Sequence, residues 1–190
     1  MQRRQALQQI AVLGAATATG SVIAAPAVIT QPTVQWRLAS SFPKSLDTIY
    51  GAAEMLAKRV AELTDGKFQI RVFAGGELVP GLQVLDAVSN GTVECGHTAG
   101  YYYVGKSKAF AFDTALPFGL TARQQNAWYS QAGGRELLSE LFKQYNVIPF
   151  AGGNTGAQMG GWFRTPINSL KDMQGLKRRI AGIGGEIMSR

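Results

Sequence analysis

The sequence contains few cysteines, histidines and charged residues. Cys95 is its only cysteine and His97 its only histidine, and 16% of its 190 residues are charged. A single cysteine excludes an internal disulfide, so a hydrophobic core must stabilise the fold. The apolar and charged fractions are those of a soluble globular protein, and no internal repeat interrupts the sequence.

Basic residues outnumber acidic ones without forming a nucleic-acid-binding pattern. The formal net charge is +7, from 19 Lys and Arg against 12 Asp and Glu. No stripe of Lys and Arg with interleaved aromatic residues occurs, although such a stripe is typical of nucleic-acid interfaces. We therefore expect no nucleic-acid partner, and we expect the positive charge to attract small anions.

Residues 1–27 have the features of an export signal. The pair Arg3-Arg4 precedes the uncharged run IAVLGAA at residues 10–16, and residues 25–27 form a small-x-small cleavage site. This pattern predicts a protein exported to the periplasm. The arginine pair favours the twin-arginine route, but Ala6 stands where that signal commonly has phenylalanine, so general secretion remains an alternative. The uncharged run is too short to anchor the chain across a membrane.

From residue 34 onwards, strand patterns alternate with helix patterns. Apolar patterning predicts strands at 34–39, 67–73 and 92–97, and a 3.6-residue period predicts helices at 47–64 and 82–89. The order strand, helix, strand, helix, strand predicts an α/β fold with a parallel sheet and right-handed crossovers.

Element boundaries follow from capping residues. Ser45 or Asp47 is expected to cap the first helix, and Gly66 is expected to end it. Further elements are predicted beyond residue 120: helices at 122–132 and 135–145, a strand at 146–151 and the beginning of a helix at 184–190.

A glycine-rich stretch, GGNTGAQMGGWFR at residues 152–164, has the composition of a binding loop. Its glycines allow close approach of the backbone to a ligand, and Asn154 and Gln158 offer amide donors and acceptors. Arg179 follows on a predicted strand and offers a planar cationic fork that fits a carboxylate. These residues favour a small organic anion as the ligand. The alternative is an ordinary turn, with Arg179 as a surface cation.

Three consecutive tyrosines, Tyr101, Tyr102 and Tyr103, follow the third predicted strand. In open α/β sheets, ligands bind beyond the carboxyl ends of the strands, so these side chains are well placed to line a pocket. The alternative is that they pack as core aromatics, and we expect this of at least one of the three.

Seven segments carry a family resemblance. They read WRLASSFPKSLD (36–47), AGGELVPG (74–81), GTVECGHT (91–98), GYYY (100–103), GGNTG (152–156), QMGGWFR (158–164) and MQGLK (173–177). The chain resembles the DctP-type solute receptor of a tripartite ATP-independent periplasmic (TRAP) transporter. More narrowly, it resembles the branch that binds 2-oxoacids such as pyruvate. The resemblance implies two α/β lobes joined by crossing strands, a ligand cleft between them and membrane subunits as partners.

The resemblance also implies roles for single residues. Arg179 matches the family's carboxylate-binding arginine, and Gln158 matches a side chain that helps to hold a sodium ion beside the ligand. With Asn154, Tyr101 and Tyr102 these residues make up the expected substrate site. The sequence departs from the family pattern at residues 178–184, most visibly at Arg178.

Chains of this family are nearly twice as long as this one. We therefore expect residues 28–150 to form the first α/β lobe. Residues 151–190 are expected to form the interdomain crossing and the start of a second lobe that is truncated here. Most of that lobe, the remaining metal ligands and the long helix that spans both lobes are expected to be absent.

Three functional hypotheses follow. The first is a periplasmic receptor that captures a small 2-oxo or 2-hydroxy monocarboxylate and delivers it to membrane subunits. The second is a truncated or sensory relative that binds a partner protein without transporting solute. The third is an enzyme that uses Cys95 as nucleophile and His97 as base, since both lie on one face of a strand. A buried cysteine is more often a packing residue, so we expect no enzymatic activity.

Overall fold

A computed structural model of the chain describes residues 33–114, 116–177, 179–180 and 182–189. The predicted export signal and Arg178 lie outside the described residues. Within the described ranges, no helix is both long and apolar enough to cross a membrane.

Three parallel strands form the sheet. Strand β1 (Val34–Ser40) lies in the middle, with β2 (Phe68–Phe73) on one side and β3 (Cys95–His97) on the other. Helices follow β1 and β2, as expected when parallel strands need crossover connections. The predicted α/β class with a parallel sheet is confirmed.

Strand β3 is shorter than the predicted strand at 92–97. The backbone amides of Thr92 and Val93 both donate to the carbonyl oxygen of Ala87, at 2.8 and 3.3 Å. These bonds extend the turn that ends the preceding helix, so pairing with β1 begins only where Cys95 lies opposite Leu38.

Helix α1 (Asp47–Leu63) packs on the sheet and ends as predicted, but it begins differently. Its N-cap residue is Leu46, which offers no side-chain hydrogen bond, and the Asp47 carboxylate accepts from the adjacent Thr48 amide at 2.7 Å. The prediction that Ser45 or Asp47 caps the helix is therefore wrong. At the other end, the Gly66 amide donates to the Ala61 carbonyl at 2.8 Å, with Gly66 at φ +74°. This bond, which spans six residues, is the outer hydrogen bond of a Schellman motif.

Helix α2 (Val84–Ser89) covers β3 at close range, after a 3-10 turn at Gly81–Gln83. A Cβ added to Gly96 would lie 2.6 Å from a methyl carbon of Val84 and 3.0 Å from one of Val88. Only glycine fits at this position without a shift of the helix. One core cluster forms here around Ala39, Val84, Ala87 and Val93.

The second core cluster lies beneath the helices that follow the sheet. These are a 3-10 turn at Lys108–Phe110, α3 (Ala111–Thr114), α4 (Ala122–Gln131) and α5 (Gly134–Lys143), so the two helices predicted at 122–132 and 135–145 are confirmed. Buried aromatic and leucine side chains fill this cluster: Leu85, Tyr103, Phe110, Leu138 and Phe142.

The chain beyond residue 145 differs from the sequence predictions. The strand predicted at 146–151 is absent from the described chain, and Ile148 and Phe150 are 78% and 86% exposed. Pro149 lacks an amide hydrogen, and the three strands of the described sheet pair only with one another. Arg179 likewise lies outside any strand, so the predicted strand around it is wrong. Helix α6 (Gly182–Met188) confirms the predicted final helix and begins two residues earlier.

Candidate functional site

The carboxyl ends of β1 and β3 form a topological switch point. From β1 the chain runs to β2, which lies on one side of β1 within the sheet. It then crosses to β3, which lies on the other side of β1. The loops after β1 and β3 therefore diverge, and open α/β sheets bind ligands in the crevice left between such loops. The candidate site lies at this edge of the sheet.

A polar network anchors the two loops to the core. Ser41 Oγ donates to the Gly81 carbonyl oxygen at 2.5 Å and lies 2.6 Å from Thr98 Oγ1. Thr98 Oγ1 lies 2.8 Å from the hydroxyl of Tyr103, which also accepts from the Leu85 amide at 3.1 Å. Burial raises the pKa of Tyr103, so its hydroxyl stays protonated and available as a donor. Tyr103 is thus the core tyrosine of the three.

An aromatic row extends along the site. It consists of His97, Phe42, Tyr102 and Tyr101, with ring centroids 5.1, 6.3 and 4.6 Å apart in that order. Each of these four side chains is half-buried. Tyr101 and Tyr102 therefore lie at the edge of the sheet where the sequence predicted a pocket.

Arg179 lies within electrostatic range of Tyr101, at one end of the aromatic row. Burial and a hydrogen bond with Tyr102 raise the pKa of Tyr101 to about 12, and the positive charge of Arg179 acts in the opposite direction. A Cβ added to Gly182 would lie 3.4 Å from the Tyr101 Cβ, so the start of α6 packs on this tyrosine. Tyr101 and Tyr102 thus lie together at this edge, and the charge of Arg179 reaches Tyr101 without the strand that was predicted to carry the arginine.

Asn154 and Gln158 are exposed and make local hydrogen bonds only. Asn154 Oδ1 accepts from the Gly156 amide at 2.7 Å, and Gln158 Nε2 donates to Thr155 Oγ1 at 2.9 Å. No described hydrogen bond joins either amide side chain to Arg179 or to the tyrosines. Gly152, at the start of this segment, approaches the aromatic row: a Cβ added to it would lie 3.7 Å from His97 Cδ2.

The described part of the chain offers no cluster of acidic, histidine or cysteine side chains as a metal site beside these amides. Within the described residues, no three side chains of His, Cys, Asp or Glu are grouped so that they could hold a metal ion. The Gln158 amide oxygen has no hydrogen-bond partner in the described part of the chain. It is therefore available as one oxygen ligand of a hard cation.

A separate open depression of about 520 Å³ is lined by Lys108 and by residues of α6, namely Ile183, Glu186 and Ile187. Lys108 Nζ lies 2.5 Å from a carboxylate oxygen of Glu186, so the cation is already paired. This depression is a weaker candidate for anion binding than the surroundings of Arg179.

The thiol of Cys95 is poorly suited to nucleophilic attack. Burial, with a smaller contribution from the negative charge of Glu94, raises its pKa to about 11. Its Sγ lies 3.8 Å from the Arg37 carbonyl oxygen, a packing contact along the sheet. Since the thiolate is the reactive form, the geometry disfavours the enzyme hypothesis.

We expect Cys95 in the folded chain to react slowly with iodoacetamide near neutral pH. Its alkylation rate, followed by mass spectrometry, should rise only toward pH 11, because the thiolate forms there. The urea-unfolded chain is the control, and its rate should follow the ordinary thiol pKa of 9.0. Rapid alkylation of the folded chain at pH 7 would contradict the burial of this thiol.

Sequence reasoning missed Phe42 as a site residue and named His97 only as a strand residue that could act as a base. Both become site residues because β3 pairs with β1, which brings the residue after β1 against the end of β3. The only sequence signal was their position, since each lies within two residues of the carboxyl end of a strand. The sheet order that joins them was not predicted.

Family membership follows from comparison with known proteins. Residues 39–189 match the bacterial extracellular solute-binding proteins of family 7, the DctP family, and the chain belongs to this family. It is 55% identical over 193 residues to a monocarboxylate 2-oxoacid-binding periplasmic protein of Nostoc sp. strain PCC 7120. That match covers 100% of this chain and 53% of the relative, so the chain spans about half the relative's length.

Solved structures of TRAP solute-binding proteins share the fold. One from Bordetella bronchiseptica RB50, which holds copurified calcium and picolinate, is 58% identical with a TM-score of 0.80 over 84% of this chain and 47% of its own. One from Pseudoalteromonas atlantica T6c, with bound sodium and pyruvate, is 41% identical with a TM-score of 0.78 over 83% of this chain and 48% of its own. These likenesses confirm the periplasmic-binding-protein-like fold, and these relatives are solute-binding proteins rather than enzymes.

Proposed function

We propose that this chain is the ligand-binding part of a TRAP transporter receptor for a small 2-oxo or 2-hydroxy monocarboxylate. The observation that carries the proposal is the half-buried pair Tyr101 and Tyr102 at the edge of the sheet where α/β folds bind ligands, with the charge of Arg179 within reach of Tyr101. The pyruvate and 2-oxoacid relatives support the same ligand class.

The site residues suit such an acid chemically. The Arg179 guanidinium offers two parallel N–H groups to a carboxylate. The pKa of Tyr101 near 12 keeps its hydroxyl protonated at neutral pH, so this hydroxyl can donate to a ligand oxygen that replaces Tyr102 as its partner. The ring faces of the tyrosine pair and Phe42 provide an apolar wall for a short carbon chain.

Gln158 is proposed to supply one oxygen ligand to a sodium ion beside the acid. A neutral amide oxygen suits a hard monovalent cation, and this oxygen is uncommitted in the described chain. Asn154 lies in the same segment and is proposed to bind a second ligand oxygen. When bound, the cation would neutralise part of the ligand's negative charge.

The cellular role follows from the family and the export signal. We propose that residues 28–150 act as the first lobe and residues 151–190 as the crossing into a second lobe, in the periplasm. Closure of two lobes on the acid would present a surface that the membrane subunits of the transporter recognise. No catalytic step is proposed, since the site holds a carboxylate-binding cation and no activated nucleophile.

A partner-binding relative without a solute is the alternative function. It is supported by the exposure of apolar side chains after residue 145, such as Phe150 and Trp162. Calorimetry with pyruvate distinguishes the two functions. It should be run on the 190-residue chain and on a chimera that continues into the second half of the Nostoc relative. Heat of binding in either chain supports the receptor function. No heat of binding in both chains supports the partner-binding alternative.

We expect Gln158→Leu to weaken pyruvate binding and its sodium dependence together, because the amide oxygen is lost while the side-chain volume is nearly kept. The measurement is calorimetry in sodium and in choline buffers. Gln174→Leu is the matched control, since that glutamine lies outside the glycine-rich segment. A loss of affinity with unchanged sodium dependence would contradict the metal role.

A further inference from the structure

His97 occupies a position between the sheet and the glycine-rich segment. Its Nδ1 lies 3.4 Å from Ser40 Oγ, and its ring packs edge-on against Phe42. A Cβ added to Gly152 would lie 3.7 Å from His97 Cδ2 and 3.9 Å from Nε2. One edge of the imidazole therefore faces the sheet, and the opposite edge faces the first residue of the segment.

The buried serine determines which ring nitrogen carries the proton. Ser40 is only 1% exposed, and its oxygen accepts from the Phe42 amide at 3.1 Å. The Ser40 hydroxyl hydrogen still needs an acceptor, and Nδ1 of His97 is the acceptor within reach in the described chain. Nδ1 is then unprotonated and Nε2 carries the hydrogen. Burial lowers the pKa of His97, so the ring is neutral at pH 7.

The Nε2–H group has no hydrogen-bond partner among the described residues. No buried side-chain nitrogen or oxygen of the described residues lacks a partner, so Nε2 keeps contact with solvent and water is its acceptor. Residues 152–158 are exposed and make no backbone–backbone hydrogen bond within the described chain, so their carbonyl groups are available. The absence of a side chain at Gly152 lets the imidazole edge approach that backbone.

We propose that His97 is a positioning residue whose Nε2–H is hydrogen-bonded through one bridging water to a main-chain carbonyl of residues 152–156. This water-mediated bond would hold Asn154 and Gln158 at a fixed place beside the aromatic row. The inference deepens the proposed function and rests on it only where ligand binding is measured. Ser40 acts through His97, because it keeps the donor on the nitrogen that faces the segment.

The tautomer can be measured directly, because His97 is the only histidine in the sequence. A chain labelled with ¹⁵N-histidine gives one pair of ring nitrogen signals. We expect the Nε2–H tautomer in the wild type and a mixture of tautomers in Ser40→Ala. A wild-type ring protonated at Nδ1 would overturn the proposal.

Proteolysis tests the docking of the segment without any ligand. Phe150 lies just before the segment and Trp162 near its end, and they are 86% and 89% exposed, so chymotrypsin can cleave after both. We expect cleavage there to become several-fold faster in His97→Leu and to stay near wild type in His97→Gln, whose amide places a donor close to Nε2. Cleavage after buried Phe110 reports global unfolding and is the internal control. Equal rates in all three chains would overturn the proposal.

The binding measurement uses pyruvate with sodium, in the chimera described above. His97→Leu is expected to weaken binding by roughly tenfold, the effect of an unmade hydrogen bond, and His97→Gln by much less. If His97→Leu and His97→Gln bind pyruvate equally well, the positioning role is contradicted. If the wild type binds no pyruvate, the proposed function fails, while the tautomer and proteolysis measurements still decide the role of His97.

Discussion

Arg179→Ala is expected to weaken pyruvate binding more than any other single change at the site. The charge of its guanidinium reaches Tyr101, and without it a carboxylate enclosed at the tyrosine pair would lose a counter-charge. Truncating one partner of a desolvated charge pair costs about 2–5 kcal/mol, which is at least tenfold in affinity. Calorimetry with pyruvate, in the 190-residue chain and in the chimera, measures the loss.

Two further variants separate charge from geometry. Arg179→Lys keeps the positive charge but loses the planar fork, so it should bind less tightly than the wild type and more tightly than the alanine variant. Arg178→Ala is the control, because the family resemblance assigns the carboxylate to Arg179 alone. If Arg178→Ala abolishes binding while Arg179→Ala does not, the site described here is wrong.

The sheet was predictable because its strands carry their own patterns. In β2, Phe68, Ile70 and Val72 alternate with Gln69 and Arg71, and only a strand places the first three on one face. The 3.6-residue period of apolar side chains along α1 is an equally local signal. Such signals do not depend on distant residues, and the structure follows them.

The segments at 146–151 and around Arg179 were wrongly predicted as strands for a different reason. A strand exists only where a neighbour accepts its backbone hydrogen bonds. Neither segment is paired with a strand in the described chain, and apolar residues such as Ile148 remain exposed without regular structure. Local sequence cannot show whether a pairing partner is present.

The candidate site was only partly predictable because its contacts depend on sheet order. The positions of Tyr101 and Tyr102 after a strand indicated a pocket, but Phe42 and His97 are far apart in sequence. They meet because β1 lies between β2 and β3, and the alternation of elements does not determine that order. The choice of Tyr103 as the core tyrosine depends equally on a distant partner, the Leu85 amide.

Phe110 connects the stability of the chain to the shape of this site. It is 0% exposed, and its ring packs on Tyr103, Phe142 and Tyr145 at centroid distances of 5.9, 5.1 and 5.1 Å. The hydroxyl of Tyr103 in turn anchors Thr98, in the loop that follows β3. A cavity at Phe110 would therefore loosen both the core and the wall of the candidate site.

We expect Phe110→Ala to lower the free energy of unfolding by about 3–5 kcal/mol, the usual cost of deleting a buried phenylalanine ring. Urea unfolding followed by far-UV circular dichroism measures the change, and Phe110→Leu should cost less because it fills part of the cavity. Phe150→Ala is the matched control, since that ring is 86% exposed and should change stability by less than about 0.5 kcal/mol. Equal effects at the two phenylalanines would show that the cluster around Phe110 is not the core of this chain. A folded Phe110→Ala chain should also bind pyruvate less tightly, because Tyr103 would no longer hold Thr98 and the β3 loop in one position.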